Sequence, residues 1–305
     1  MSRKPNTPAP SPSRPTPAVT AWQAEVIGVL RRGIGLMENS DLPPEKRTRK
    51  GRQTAKAAAA LLRLAPPGLK RKAMGLRLAL SGVRRMLAAS RDSDALVEAF
   101  DRLAPGLLIP RADLAALHKI VAGQRDVHDT AAGERAKAAH IFAALIRQIE
   151  TWGRTKGGLT PLLAAIGADY RKLRRGMEQA FAEGDINALH AMRKRVIIHR
   201  HQTGLMARMA GADKEAGRGR DRLLTHEARA KALGVALGRH RDLCLLDDLL
   251  RGQQSPRLHN AIERTLAAIA DAQARQLTEA RQLSRRLTRR KRRDFVGWAG
   301  RAISR

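Results

Sequence analysis

Apolar residues recur at spacings of three and four from about residue 20 onward, and alternating runs of β-branched residues are missing. These spacings match the 3.6-residue period of an α-helix rather than the two-residue period of a strand. The pattern therefore predicts an all-α fold. Proline and glycine interrupt it often enough to delimit about nine or ten helices. The breaks are predicted at residues 41–44, 66–68, 105–110, 157–158, 183–184, 211, 217–219 and 255–256.

An internal repeat divides the chain into two halves, about 21–155 and 156–284, since the helix after Pro44 overlays the helix after Gly184 at an offset of 141 residues. Cations on the first helix step by three, four and seven, which places them on one stripe. They are Arg49, Arg52, Lys56 and Arg63. The corresponding stripe of the second helix carries His190, Arg193, Lys194, His201 and Arg208. Both helices are predicted to present a basic face.

The opposite side of the second helix carries an apolar stripe that is predicted to pack on the core. Its members are Leu189, Met192, Val196, Thr203 and Met206. A later element also repeats, because Arg91 and Asp92 precede an apolar run as Arg241 and Asp242 do, here at an offset of 150 residues. We expect both aspartates to support neighbouring basic side chains or to cap helices.

The charge balance predicts a polyanionic partner. Lys and Arg number 59 against 28 acidic residues, a formal net charge of +31. Removing residues 1–20 (+3) and 285–305 (+8) still leaves +20, so the folded body itself is basic. DNA- and RNA-binding proteins share this property, and a nucleic-acid-associated protein is the alternative function. Aromatic residues make up only 3% of the chain, which disfavours reading bases by stacking.

The two ends are predicted to be tails. Residues 1–20 form a Pro-rich, disordered segment, and residues 285–305 form a basic C-terminal tail that adds nonspecific attraction to nucleic acid. No stretch approaches the roughly 18 apolar residues of a membrane helix, and no secretion signal precedes the body. We therefore expect a cytoplasmic protein without membrane insertion, and the sequence predicts no particular oligomeric state.

The residues that would support catalysis or metal binding are missing from the sequence. The single cysteine, Cys244, lies in an apolar run and is predicted to be a buried thiol. Asp247 and Asp248 point about 100° apart on a helix and lack matched ligands. A hydrolase of phosphate chains would need metal ligands, an activated nucleophile or a glycine-rich phosphate loop. We expect no catalytic activity, no metal and no cofactor.

The segment Leu189 to Val196 with His199, and the segment Leu237 to Leu243, resemble two motifs of the CHAD family, the conserved histidine α-helical domain. Arg49 to Leu64 and Ser90 to Ala95 resemble the corresponding first-half motifs, and the likeness spans about residues 22–284. It implies two pseudo-symmetric four-helix bundles forming one CHAD-type domain over 21–284, with a basic central cleft. It also implies binding of inorganic polyphosphate and association with polyphosphate granules.

The resemblance assigns roles to residues at the matching positions. It implies contacts to polyphosphate from the two basic stripes, with Arg49, Arg52, Lys56, Arg193 and Lys194 innermost. Supporting roles fall to Arg91, Asp92, Arg195, His199, His240, Arg241 and Asp242, and His199 is expected to be structural and buried. Arg49 stands at a histidine position of the family, Ile197 at a lysine position and His201 at an aromatic position, so we expect an asymmetric site.

Overall fold

The computed structural model of the chain describes residues 18–123, 131–152, 158–210 and 214–303, of which 18, 19, 89–94, 131 and 214–216 are described as backbone only. Within these ranges the regular structure is entirely helical, so the prediction of an all-α fold is confirmed. Eleven α-helices are described, with short 3-10 turns at Pro67–Leu69, Ala104–Gly106 and Pro256–Leu258. The helices are α1 (Ala18–Glu38), α2 (Pro44–Leu62), α3 (Lys70–Met86), α4 (Ala89–Leu103), α5 (Arg111–Ala122), α6 (Ala131–Glu150), α7 (Leu159–Glu183), α8 (Ile186–Met209), α9 (Lys214–Arg251), α10 (His259–Thr288) and α11 (Arg292–Ile303).

The two basic helices begin where local sequence signals place them. Pro44 is the first residue of α2, a position where the missing N–H costs nothing and the fixed φ is already helical. Helix α7 stops at Gly184, whose φ of 67° is left-handed and favours glycine. The carboxylate of Asp185 then accepts hydrogen bonds from the N–H groups of Asn187 (3.2 Å) and Ala188 (2.9 Å), which caps α8.

Buried apolar side chains form two clusters. The larger cluster joins α1, α2, α3, α6, α7, α8 and α11 with the first part of α9 and the last part of α10. The smaller cluster joins α4 and α5 to the remaining parts of α9 and α10. Each cluster therefore combines helices from both halves of the chain. The basic helices α2 and α8 pack against each other inside the larger cluster.

Helix α9 runs without interruption over 38 residues, so the predicted break at residues 217–219 is wrong. A side chain at Gly219 would come within 3.0 Å of the Cα of Ala302 in α11. This glycine permits close approach of two helices instead of ending one. Glycine in a helix interior lowers helix stability, but it is tolerated where two helices pack too closely for a side chain.

The prediction of a basic tail over residues 285–305 is also wrong for the part that the structure describes. Helix α10 continues to Thr288, and α11 buries Phe295, Ala299 and Ala302 in the larger cluster. The ring of Phe295 stacks on Tyr170, with centroids 4.1 Å apart. Apolar residues within the basic run supply this docking face. The predicted N-terminal tail lies outside the described residues up to position 17.

Two smaller predictions can be compared with the structure. Cys244 is buried, as predicted, and burial with the nearby Asp248 and Asp247 raises the pKa of its thiol to about 11. Across the described ranges, no helix combines the length and apolar character needed to cross a membrane.

Candidate functional site

Four helices surround a groove of about 590 Å³. Its walls come from α2, α3, α8 and α9, and none of the described residues that line it is an aspartate or glutamate. Nine lysine and arginine side chains line it together with one histidine: Arg52, Lys56, Arg63, Arg77, Arg84, Arg85, Arg193, Lys194, Arg241 and His190. Like charges gathered in this way repel one another, so the groove favours a bound anion.

Helix α2 contributes Arg52, Lys56 and Arg63 to the groove. A guanidinium N–H of Arg52 donates to the carbonyl oxygen of Ala88 at 3.3 Å, which holds this side chain across the start of α4. Arg63 is oriented differently, because its guanidinium donates to both carboxylate oxygens of Asp169, at 2.8 and 2.5 Å. Arg63 therefore lines the groove while its guanidinium also binds a carboxylate.

The carboxylate of Asp169 joins α2, α7 and α8. The side-chain amide of Gln202 donates to it at 2.8 Å and also donates to the carbonyl oxygen of Ala60 at 3.4 Å. Hydrogen bonds from Arg63 and Gln202 hold the pKa of Asp169 below its usual range against the opposing effect of burial. This connection fixes the separation of the two basic helices at one end of the groove.

Helix α8 contributes His190, Arg193 and Lys194, followed by the apolar Ile197 and Ile198. Its cations therefore lie near its N-terminal end, while the middle of the helix gives the groove an apolar wall. Arg193 lies directly against Gly238 of α9, where an added Cβ would come within 3.1 Å of the guanidinium. The absence of a side chain at Gly238 creates the space that Arg193 occupies.

Helix α3 supplies Arg77, Arg84 and Arg85, which the sequence reasoning missed. Its buried face carries Ala73, Leu76, Leu80 and Val83 at spacings of three and four. Arg77 and Arg84 are seven residues apart and therefore share another face of the same helix. The stripe criterion that selected α2 and α8 would have found this pair if applied to the next helix along the chain.

The groove histidine is neutral in the free protein at pH 7. Burial, with Arg241, Lys194, Arg193 and Lys56 nearby, lowers the pKa of His190 to about 4. Its Nδ1 atom is buried and makes no hydrogen bond within the part of the chain that the structure describes. His190 can therefore donate a neutral hydrogen bond to an anion, or become protonated when an anion offsets the surrounding positive charge.

Several predicted contact residues lie outside the groove lining. Arg49 pairs with Glu98 at 3.4 Å and Arg208 pairs with Glu25 at 3.1 Å, and both arginines are about half exposed. His201 is largely enclosed, and burial together with Arg200, Arg208 and Lys56 lowers its pKa to about 4. The two basic stripes are thus only partly directed into the groove.

The predicted supporting residues take several positions. Arg241 lines the groove, and Asp242 is half-buried beside it on α9. Arg195 donates to the carbonyl oxygen of Lys172 at 2.7 Å, on the α7 side of α8. His240 Nδ1 lies 3.8 Å from the sulfur of Cys244. The side chains of Arg91 and Asp92 lie outside the described residues.

His199 is buried, as predicted, and its Nε2 lies 2.9 Å from Nε2 of His226 on α9. Two ring nitrogens at this distance share one hydrogen, so one histidine donates and the other accepts. Burial lowers the pKa of both side chains, and the charge of one further disfavours protonation of the other. His199 therefore joins α8 to α9 on the far side of α8 from the groove.

The family model for the CHAD domain matches residues 41–251. The chain belongs to the CHAD domain family. The match covers α2 to α9, so the ten described basic and histidine side chains that line the groove lie in the CHAD region. Comparison with curated proteins and with solved structures gave no match. Among the described residues of this CHAD protein, no group of three or more His, Cys, Asp or Glu could hold a metal ion.

Proposed function

We propose that this CHAD protein binds inorganic polyphosphate, without catalysis, in the groove between α2, α3, α8 and α9. One observation carries the proposal: nine lysine and arginine side chains from four helices line a single groove, and its described lining contains no carboxylate. The CHAD family is associated with polyphosphate binding, which agrees with this choice of anion.

The chemistry of the lining suits a chain of phosphates. Polyphosphate carries about one negative charge per unit and has no bases, so its recognition depends on charge and on hydrogen bonds to phosphate oxygens. Arginine offers a planar fork of donors that matches phosphate, while lysine acts as a mobile point charge. The lining contains both, with Arg84 and Arg85 on one wall and Arg193 and Lys194 on another.

The organisation of the domain is part of the proposal. Helices α2 and α8 are the elements that overlay in the sequence repeat, and they pack against each other beside the groove. This supports pseudo-symmetric halves within residues 21–284 and a basic central cleft, while their grouping into two four-helix bundles stays a prediction. Ile197 aligns with Lys56 in the repeat. This difference supports unequal contributions of the two halves to anion binding.

The proposed absence of catalysis rests on the donors that the groove offers. Among the residues whose side chains the structure describes, its polar lining consists of cationic side chains, one neutral histidine and Ser81. Such a lining binds phosphate oxygens but supplies neither a carboxylate base nor carboxylate ligands for Mg²⁺. We propose a cytoplasmic protein that associates with polyphosphate granules, in which the groove holds the chain without cleaving it.

A nucleic-acid-associated role is the second candidate. Seven basic residues fall within positions 285–293, and Arg285, Arg286, Arg292 and Arg293 are exposed at the end of α10 and the start of α11. This surface offers charge without a defined groove, which suits nonspecific contact with a phosphate backbone.

A competition assay at fixed salt separates the two candidates. Long-chain polyphosphate should displace fluorescent duplex DNA at far lower phosphate concentration than unlabelled DNA does, because the groove fits one flexible phosphate strand. Equal displacement per phosphate would favour the nucleic-acid role. In parallel, polyphosphate incubated with the protein and Mg²⁺ or Mn²⁺ should release no phosphate, and measurable turnover would overturn the non-catalytic assignment.

A further inference from the structure

A second concentration of arginines lies away from the groove, between α9 and the turn that joins α10 to α11. There a cavity of about 200 Å³ is lined by four arginines, Arg222, Arg229, Arg289 and Arg290. Arg289 and Arg290 follow the residues that match the CHAD family, so the cavity is completed by a part of the chain outside that match.

The cavity is separate from the groove. The two share no lining residue, and Arg229 precedes the groove residue Arg241 by 12 positions on α9. That spacing corresponds to about 18 Å along a helix axis. Side chains at the two sites therefore cannot contact the same small anion.

Within the part of the chain that the structure describes, the positive charge in the cavity has no acidic partner. Neither an aspartate nor a glutamate is among its described lining residues. Arg222, Arg229 and Arg289 form no salt bridge with any described residue, although ion pairs neutralise arginines elsewhere in the molecule. The guanidinium of Arg290 lies 4.9 Å from the ring centroid of Trp298, a contact that orients the side chain without cancelling its charge.

A buried histidine forms the inner wall of the cavity. His226 is only 3% exposed, yet it lines the cavity. Its Nε2 is engaged by His199 at 2.9 Å, which leaves Nδ1 as the second polar atom of the ring. The ring is held in place by Phe295 and Trp298, with centroids 5.4 and 5.5 Å away.

The histidine pair can present a donor to the cavity without carrying charge. If Nε2–H of His199 donates to Nε2 of His226, the hydrogen of His226 lies on Nδ1. This tautomer leaves Nδ1 of His199 as a bare lone pair, consistent with its burial without a hydrogen-bond partner in the described structure. Because burial disfavours protonation of His226, its ring stays neutral around pH 7. The Nδ1–H group can therefore donate to an anion throughout this pH range.

We propose that this cavity is a second anion site, which binds one compact phosphate-class anion the size of orthophosphate or pyrophosphate, independently of the polyphosphate groove. The four arginines neutralise the anion, and Nδ1–H of His226 donates a hydrogen bond to one of its oxygens. Because the arginines come from α9 and from the turn before α11, a bound anion would also tie α11 to the helices beneath it.

The test uses the full-length protein and inorganic pyrophosphate alone. The exposed pair Arg222→Gln, Arg229→Gln should weaken pyrophosphate binding in calorimetric titration by about 10-fold or more, since each arginine supplies a charge-assisted hydrogen bond. The matched control Arg257→Gln, Arg275→Gln removes the same charge from exposed positions of the chain and should leave binding within about twofold. In the unmodified protein, pyrophosphate should shift the NMR signal of a neutral Nδ1–H histidine.

The outcomes distinguish this site from the proposed function. A groove variant, Arg85→Glu with Lys194→Glu, should lose long-chain polyphosphate while it keeps pyrophosphate binding. If the groove variant lost pyrophosphate binding and the double variant Arg222→Gln with Arg229→Gln kept it, the second site would be overturned. The anion would then bind in the groove. Equal weakening in the control variant, or no saturable binding, would also overturn it. None of these results depends on whether the groove prefers polyphosphate to DNA.

Discussion

The basic side chains of α2 and α8 fall into two groups that the sequence does not distinguish. Arg52, Lys56, Arg193 and Lys194 line the groove, where the described lining contains no carboxylate. Arg49 and Arg208 lie on the same helical stripes but pair with Glu98 and Glu25. The two groups are alike in residue type, helix and spacing. They differ in position, because one group lines the groove and the other lies outside its lining, in ion pairs with glutamates of neighbouring helices.

The comparison shows that a periodic basic stripe is not by itself a binding surface. A cation beside a carboxylate already has its counter-charge, and exposed pairs of this kind contribute about 0–1 kcal/mol to stability. A cation that lines the groove faces a described lining without carboxylates, so an anion that enters the groove meets its charge. Acidic residues on α1, α4 and α7 thus determine which part of each stripe can hold an anion.

The largest effect is expected from charge reversal in the groove. Arg85→Glu with Lys194→Glu changes two exposed side chains on different helices of the groove, so folding should be preserved. Polyphosphate affinity, measured by titration at physiological salt, should fall by about 100-fold or more, since each lost contact is a charge-assisted hydrogen bond worth about 1.5–3 kcal/mol.

The matched variant is Arg49→Glu with Arg208→Glu, which makes the same change in net charge at two half-exposed arginines. Its affinity should fall by only about a few-fold, because neither arginine is in the groove lining and each already pairs with a carboxylate. Equal losses in the two variants would mean that affinity follows net charge and that the groove has no special role.

Asp169→Asn should change stability more than any alteration of an exposed pair. The variant leaves Arg63, whose side chain is only 26% exposed, without its carboxylate partner, and we expect a loss of about 1–3 kcal/mol in the free energy of unfolding by urea. Glu98→Gln, in a half-exposed pair, is the control and should cost under about 1 kcal/mol. A similar cost in both variants would contradict the structural role of Asp169.

The same carboxylate predicts a pH dependence of stability. Because the pKa of Asp169 is lower in the folded protein than its usual value of 3.8, its contribution is present above that value and is lost as pH falls through the folded pKa. The wild-type protein and Asp169→Asn should therefore differ less in free energy of unfolding at pH 3 than at pH 7.

A smaller effect is expected from the groove histidine. The pKa of His190 is lowered to about 4 by burial and by four nearby cations, and bound phosphate would offset those cations and raise it. Affinity for polyphosphate should therefore rise a few-fold as pH falls from 7 to 5, since the complex takes up a proton. His190→Gln should remove the rise, while His259→Gln on α10 should retain it. An unchanged rise in His190→Gln would assign the effect to another group.

Much of the fold was predictable because helix periodicity and proline breaks are local signals. The starts of α2 and α8, at Pro44 and Ile186, follow directly from such signals. The errors came from tertiary packing. Gly219 resembles a helix break in sequence, but it accommodates the approach of Ala302, and the apolar residues of α11 are hidden within a basic run.

The site was predictable to the extent that it depends on spacing within one helix. The stripe pattern selected Arg52, Lys56 and Arg193, and these three side chains line one groove in the structure. It did not identify the paired cations, because Glu25 lies far from Arg208 in sequence and Asp169 is 106 residues from Arg63. Only the folded arrangement of helices brings these charges together.

The length of α9 has a consequence for how the groove meets its ligand. The helix carries Leu223 to Leu237 in one apolar cluster and Leu243 to Leu250 in the other, and the groove residue Arg241 lies between them. Because α9 packs in one cluster before Arg241 and in the other after it, the helix cannot bend near Arg241 without disrupting both clusters. The α9 side of the groove is therefore already ordered in the free protein, and binding of phosphate costs less conformational entropy.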